Sequence, residues 1–278
     1  MRLTYDPTHG VWYVTLAVLT TNEVTLVEAV LDTGSSGLVL RTEGCVGCER
    51  GGVRLHDVEG PDKETIAFGT ETALCEKKTV AIWWDGRKRR VGAYMIRAAT
   101  AGGLTVLGLA QSEQGVRSTY AHSCFDFINK RVLTRVPTYS YARLGQTVAS
   151  WVQRADEQGR PHKYYGFAFV DLALKDAVHG WCTFHRSGQA LFETGSTTSL
   201  VKVGGTKTFQ DWCGMRMQLT DGTVLEWGGG DIQTTEMPST YTGFGDTVHL
   251  VLGNKHMRNY VFDFEMRESR LTVYGEYK

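Results

Sequence analysis

Cysteine and proline are both scarce in this chain of 278 residues, which contains 6 cysteines and 5 prolines. Six cysteines over this length are too few for a fold held together by disulfides. Cys45 and Cys48 form a C-x-x-C pair, but no second pair follows at the spacing of a zinc-binding module. We therefore expect no zinc site, and the two cysteines form either a local disulfide or two free thiols.

An excess of one charge and a long apolar run are also lacking. Lys and Arg together number 30, as do Asp and Glu, so the formal net charge is zero. This balance disfavours nucleic acid or an anionic membrane as a general partner. No apolar run is long enough to span a bilayer, and residues 11–19 lack the basic leader and the cleavage site of a signal peptide. These features leave the compartment open, and a cytoplasmic location is expected if Met1 is the native start.

Glycine, in contrast, is abundant, with 32 residues. Short runs of alternating or β-branched residues recur along the chain, and turn signals such as Asp85-Gly86 and Gly102-Gly103 separate them. Asp85-Gly86 predicts a hairpin between a Trp-rich and a Val-rich run. The fold class predicted is therefore all-β.

Helical patterns are few. Residues 123–135 carry apolar side chains at helical spacing, with Ser123 as a candidate N-cap, and so predict one helix. Residues 145–157 are expected to form either a second helix or a linker between two lobes.

One short phrase occurs twice. Each copy has two apolar residues, one acid and then Thr-Gly-Ser. The copies are Val30-Leu31-Asp32-Thr33-Gly34-Ser35-Ser36 and Leu191-Phe192-Glu193-Thr194-Gly195-Ser196-Thr197. Two carboxyl groups held together cannot both ionise readily, so one acts as a base and the other as an acid. The repeat therefore predicts a paired-carboxylate active site.

A second phrase repeats in the same order. Val106-Leu107-Gly108 follows the first acid and Val251-Leu252-Gly253 follows the second. Each half of the chain thus runs from an acid-Thr-Gly-Ser phrase, through several strands, to an apolar-apolar-Gly phrase. This order predicts two related lobes, residues 1–145 and residues 146–278.

Motifs of other hydrolases are missing. The 8 histidines include no H-E-x-x-H pair, which disfavours a metalloprotease, and the absence of G-x-S-x-G disfavours a serine hydrolase. We expect neither a metal nor another cofactor. The basic run at residues 87–90 is expected to be a solvated hairpin tip, with an acidic partner or nucleic acid as the alternative reading.

In combination, these phrases resemble the pepsin-type aspartic proteases. Asp32-Thr33-Gly34-Ser35-Ser36 matches the family's first catalytic motif, and Glu193-Thr194-Gly195-Ser196 matches the second except for the acid. Residues 66–70 resemble the flap strand, with Phe68 where the family usually has Tyr. The resemblance covers nearly the whole chain. It implies a bilobal pepsin-like fold, in which two pseudo-symmetric β-barrel-like lobes flank a central cleft.

The resemblance implies an aspartic endopeptidase that hydrolyses extended polypeptides without a cofactor. A water activated between Asp32 and Glu193 would attack the scissile carbonyl, and Phe68, Gly69 and Thr70 would form the substrate-binding flap. The other motif residues would support the acids: glycines allow a tight turn, threonines bond across the lobe interface and serines donate to the carboxylates. They are Thr33, Gly34, Ser35, Thr194, Gly195 and Ser196. The expected partner is a polypeptide substrate or a peptide-like inhibitor, and the chain is expected to be a monomer.

Glu193 is the main departure from the family pattern. Glutamate extends the carboxylate by about 1.5 Å relative to aspartate, whereas catalytic geometry tolerates about 0.5 Å. Either the loop retracts to compensate, or the site is slow or inactive. The alternative function is therefore a catalytically inactive pepsin-like scaffold that binds a peptide or serves a structural role.

Overall fold

A computed structural model describes the main chain at residues 1–19, 24–46, 62–68, 71–84, 87–99, 105–111, 122–133, 136, 141–155, 161–203, 212–229, 232–235 and 247–276. Among these described residues, 73% lie in strands and 2% in helix. The all-β class predicted from the sequence is confirmed. In these ranges, no helix is long and apolar enough to cross a membrane.

The described ranges contain 22 strands and one short helix, numbered in chain order. They are β1 (Thr4–Asp6), β2 (Val11–Leu19), β3 (Val24–Asp32), β4 (Ser36–Val46), β5 (Asp62–Phe68), β6 (Glu71–Trp84), β7 (Arg87–Ala99), β8 (Val106–Leu109), β9 (His122–Asp126), β10 (Arg131–Leu133), β11 (Ala142–Ala155), β12 (Pro161–Phe169), β13 (Asp171–Asp176), β14 (Gly180–His185), β15 (Gly188–Phe192), β16 (Ser199–Lys202), β17 (Trp212–Gln218), β18 (Val224–Gly228), β19 (Ile232–Thr235), β20 (Val248–Leu252), α1 (Asn254–Met257), β21 (Val261–Glu265) and β22 (Arg270–Gly275).

The chain divides into two compact units. Unit 1 comprises Met1–Thr4 and Trp12–Ser118, and unit 2 comprises Tyr5–Val11 and Thr119–Lys278. The lobe boundary predicted at residue 145 falls inside β11, whereas the units divide after Ser118. The reason is that β9 pairs along its length with β21, so residues 122–126 belong to a C-terminal sheet.

Unit 1 contains a closed β-barrel. Its strands follow the order β2-β3-β8-β4-β7-β6, and a further pairing of β6 with β2 closes the ring of six. Along β2 the side chains alternate between buried and more exposed positions, as expected where one face fills a barrel. The interior is formed by aliphatic side chains that are at most 1% exposed, including Leu16, Leu31, Leu38, Leu40 and Met95.

Unit 2 contains two sheets. The larger has ten strands in the order β10-β9-β21-β22-β11-β12-β15-β20-β16-β19, and the smaller has four in the order β14-β13-β17-β18. Its core is aromatic. The ring of Phe192 packs 5.0 Å from those of Phe125 and Phe264 and 5.1 Å from that of Phe262, between ring centroids. Because Phe192 is fully buried, the strand that ends beside Glu193 is firmly anchored.

Both helical predictions are wrong. Residues 123–133 lie in β9, a turn and β10, and residues 134–135 lie outside the described residues. Every residue of β9 after His122 is buried, so its burial shows no periodicity that separates helix from strand. Residues 145–155 lie in β11, a long strand that pairs with β22 and β12, and residues 156–157 lie outside the described residues.

The predicted hairpin around residues 85–86 is confirmed by its flanking strands. β6 and β7 are antiparallel, with Trp84 opposite Arg87. Residues 85–86 themselves, and Gly102-Gly103, lie outside the described residues.

Candidate active site

The first acid lies at the end of a barrel strand. Asp32 is the last residue of β3, which runs parallel to β8 with Asp32 opposite Gly108. The chain then turns and returns as β4, antiparallel to β8. In the turn, the main-chain N–H of Gly34 donates to Oδ1 of Asp32 over 2.8 Å. Asp32 is partly exposed, so its carboxyl group remains accessible for chemistry.

The second acid has the same local construction in unit 2. Glu193 directly follows β15, which runs parallel to β20, and β16 returns antiparallel to β20. The N–H of Glu193 donates to the carbonyl of Leu252 over 3.0 Å. The N–H of Gly195 donates to Oε1 of Glu193 over 2.8 Å, as Gly34 does to Asp32.

The glycine of each apolar-apolar-Gly phrase has a steric explanation. A Cβ atom at Gly108 would lie 2.7 Å from the carbonyl oxygens of Ser35 and Gly37, and one at Gly253 would lie 2.1 Å from that of Thr198. Each acid loop therefore crosses its glycine too closely for any side chain. The two repeated phrases belong to one structural motif that the chain builds twice.

The extra methylene of Glu193 is accommodated inside its own loop. Oε1 of the longer side chain accepts from the N–H of Gly195 over 2.8 Å, the same distance as between Oδ1 of Asp32 and the N–H of Gly34. Glu193 is 4% exposed, whereas Asp32 is partly exposed. Each loop therefore contains the same kind of hydrogen bond, from a glycine N–H to the carboxylate. The two acids differ in their exposure to solvent.

The serines of the motif do not orient the acids in this structure. The hydroxyl of Ser196 donates to the carbonyl of Thr198 over 2.9 Å instead of to Glu193. Oγ of Ser35 is buried and has no hydrogen-bond partner among the described residues. Thr33 and Thr194 are fully buried. The bond of these threonines across a lobe interface stays a prediction.

A polar network that the sequence reading missed supports the second loop. Asn254 follows Gly253, and its Nδ2 donates to the carbonyl of Thr194 over 2.6 Å and to that of Gly10 over 3.2 Å. Asn254 is fully buried, so both bonds are shielded from water. Its position directly after the second apolar-apolar-Gly phrase is the signal that could have identified it.

A second pair of polar side chains lies behind the same loop. Oγ of Ser199 accepts from the N–H of Gly253 over 2.9 Å and lies 2.9 Å from Nδ1 of His256. Ser199 is fully buried and His256 is 4% exposed, so Ser199 holds the backbone of Gly253 and His256 contacts Ser199 in an environment largely shielded from water.

In the predicted flap, the structure describes only the main chain of the two flanking strands. β5 and β6 form an antiparallel hairpin with Phe68 opposite Glu71. Gly69, Thr70 and the side chain of Phe68 lie outside the described residues, as do Cys48 and the side chain of Cys45. Over the part of the chain that is described, no group of three His, Cys, Asp or Glu residues is placed to hold a metal ion.

No protein-family model matches this chain, and no curated protein matches it in sequence. The interpretation of the site rests instead on the two acid loops. Asp32 belongs to unit 1 and Glu193 to unit 2. The pairing of their carboxyl groups stays a prediction.

Proposed function

We propose that the chain is an aspartic endopeptidase with a bilobal pepsin-like fold, in which Asp32 and Glu193 are the paired catalytic acids. The observation that carries the proposal is the double construction of one acid loop. In each unit an acid ends or directly follows a strand that lies parallel to an apolar-apolar-Gly strand, and a glycine N–H holds one carboxylate oxygen. A structural repeat alone needs no acid at both positions, whereas a paired-carboxylate site does.

In the proposed mechanism, one carboxyl is ionised and the other protonated. The ionised group takes a proton from a water held between them while the water oxygen attacks the scissile carbonyl, and the protonated group donates to that carbonyl oxygen. The resulting tetrahedral diol collapses when the leaving nitrogen accepts a proton and the C–N bond breaks. The N–H groups of Gly34 and Gly195 each bind one carboxylate oxygen of the acid in their own loop.

A second candidate function is a pepsin-like scaffold that binds a peptide without cleaving it. The specific observation in its favour is the burial of Glu193, which is 4% exposed. A catalytic acid must meet water and substrate, whereas a buried acid bonded to its own loop serves the fold of that loop.

A cleavage assay separates the two functions. The purified chain is incubated with a library of internally quenched peptides from about pH 3 to pH 8, with and without a statine-type transition-state mimic. We expect cleavage that the mimic blocks and that Asp32→Asn abolishes, because an amide cannot act as the base. Asp171→Asn, which replaces a partly exposed acid outside the two loops, is the matched control and is expected to cleave normally.

The outcomes are distinct. Cleavage that survives Asp32→Asn would remove the aspartic-protease assignment. A wild-type chain that binds the mimic, by calorimetry, but cleaves no peptide would support the scaffold.

A further inference from the structure

One face of the unit 1 barrel exposes apolar side chains on neighbouring strands. Val24 and Leu26 of β3 are 60% and 70% exposed, and Trp83 of β6 is 52% exposed. The strand register places Leu26 and Trp83 on either side of Ala17, and Val24 opposite Leu19. No other large apolar side chain is exposed in the described part of unit 1. Single exposed apolar side chains scattered over a surface are ordinary, whereas three clustered on one face indicate an interaction surface.

Two cations lie at one end of this apolar strip. Lys88 lies opposite Trp83, and Arg90 lies opposite Ala81. Both are exposed, and neither forms an ion pair with another residue in the described ranges. They project from the same face of β7, about 7 Å apart. Two like charges at this spacing favour a partner that brings negative charge.

The strip has the footprint of one extended chain. Its two rows each cross four strands, so the strip is about 14 Å long, the length of about four residues of an extended segment. The rows are Lys88-Trp83-Ala17-Leu26 and Arg90-Ala81-Leu19-Val24. Glu28 is exposed in the neighbouring row, opposite Thr15. This carboxylate bounds the strip and disfavours an anionic bilayer, which would cover a wider area.

We propose that this strip is a docking site for an extended segment of another protein, in which apolar side chains are followed by carboxylates. The apolar side chains would cover Leu26, Ala17 and Trp83, and the carboxylates would meet Lys88 and Arg90. A second copy of this chain is a poorer occupant, because the same face presents two cations and, among its described residues, no paired carboxylates. The site does not depend on the proposed peptidase activity.

The test uses the full chain and a labelled peptide. The probe is a short fluorescein-labelled peptide in which leucines alternate with serines and are followed by two glutamates. Binding is followed by fluorescence anisotropy. We expect saturable binding that Leu26→Ser or Trp83→Ser weakens by about tenfold, because each removes a central apolar contact. Val178→Ser, which removes a side chain that is 83% exposed in unit 2, is the matched control and should bind as the wild type does.

Charge reversal provides the second arm. We expect the double variant Lys88→Glu with Arg90→Glu to lose its affinity for the glutamate peptide and to bind a matched peptide that ends in two lysines. Reversal of Arg258 and Arg267, two exposed cations of unit 2, should change neither result. Circular dichroism confirms that each variant is folded.

Three results would overturn the proposal. One is the absence of peptide binding by the wild type. Another is binding to phosphatidylserine vesicles, with no peptide binding, that is lost in the Leu26 and Trp83 variants. The third is a dimer in analytical ultracentrifugation that the same variants dissociate.

Discussion

At the scale of single residues, Glu193 decides whether the proposed site is functional. Its Oε1 accepts from Gly195 at the distance at which Asp32 accepts from Gly34. The loop therefore suits the longer acid. We expect Glu193→Asp to lower the cleavage rate by about tenfold or more, because shortening the side chain draws the carboxylate away from this donor and from the water. Glu193→Gln should impair cleavage as well, since an amide cannot share the proton. Steady-state rates on one peptide substrate measure both effects.

Asp32→Glu is the matched control for this series. It lengthens the acid in a loop that suits aspartate, so we expect a similar loss of rate. A faster enzyme after Glu193→Asp would contradict the interpretation and identify Glu193 as a loss of precision. A chain that cleaves nothing, either as it stands or with aspartate at position 193, would favour the binding scaffold.

A buried carboxyl group makes the stability of unit 2 depend on pH. Burial raises the pKa of Asp263, and the imidazole of His122, whose Nε2 lies 2.6 Å from Oδ1 of Asp263, opposes part of the rise. The folded state therefore holds this proton more tightly than the unfolded state does. The resulting stabilisation is complete below the unfolded pKa of about 3.9 and is lost as the pH rises through the higher folded pKa.

Asp263→Asn should remove this dependence, because an amide does not ionise. We expect the free energy of unfolding of the variant to exceed that of the wild type by an amount that grows as the pH rises through this window. Urea unfolding, followed by tryptophan fluorescence at a series of pH values, measures the difference. Parallel curves for the two proteins would show that Asp263 does not titrate in this range.

At the scale of elements, the crossing of an acid loop over its neighbouring strand requires glycine. A Cβ atom at Gly253 would lie 2.1 Å from the carbonyl oxygen of Thr198. Because that oxygen belongs to the backbone, the loop would have to move. We expect Gly253→Ala to destabilise the chain by about 2–3 kcal/mol and to lower activity through displacement of Glu193. Gly228→Ala, where no atom lies within 4 Å of the new Cβ, should change stability by less than about 1 kcal/mol.

Elements were predictable from the sequence where a turn signal separated two alternating runs. The β6–β7 hairpin is of this kind, because Asp85-Gly86 marks its turn. β9 was not predictable, because both of its faces are buried and its sequence, His-Ser-Cys-Phe-Asp, lacks the alternation of apolar and polar residues that indicates a strand. Its assignment as a strand depends on pairing with β21, a strand far away in the sequence.

At the scale of the whole molecule, the repeated phrases predicted a real structural repeat, because each loop crosses its glycine too closely for a side chain. Asn254, Ser199 and His256 were missed, since the hydrogen bonds that give them a role join residues far apart in the sequence. The boundary between units was also unpredictable. The boundary depends on the pairing of β9 with β21 and on the packing of residues 5–11 with unit 2.

The N-terminal segment Tyr5–Val11 belongs to unit 2. It supports the acid loop of that unit although the two are far apart in the sequence. The hydroxyl of Thr197 donates to the carbonyl of His9 over 2.7 Å, and Asn254 donates to that of Gly10. A Cβ atom at Gly10 would lie 2.3 Å from Cγ2 of Thr197, and Gly10 has a φ of +67°. We therefore expect Gly10→Ala to separate the segment from the loop and to cost about 1–3 kcal/mol.

Gly180→Ala is the matched control for this last change. Gly180 has a φ of +75° but no atom within 4 Å of a new Cβ, so it carries similar backbone strain without the steric clash. We expect amide hydrogen exchange at Gly195 to accelerate in Gly10→Ala and to remain as in the wild type in Gly180→Ala. Equal exchange in the two variants would mean that the loop of Glu193 holds its shape independently of the N-terminal segment. Faster exchange in Gly10→Ala alone would show that a residue at the start of the chain helps to position the second acid.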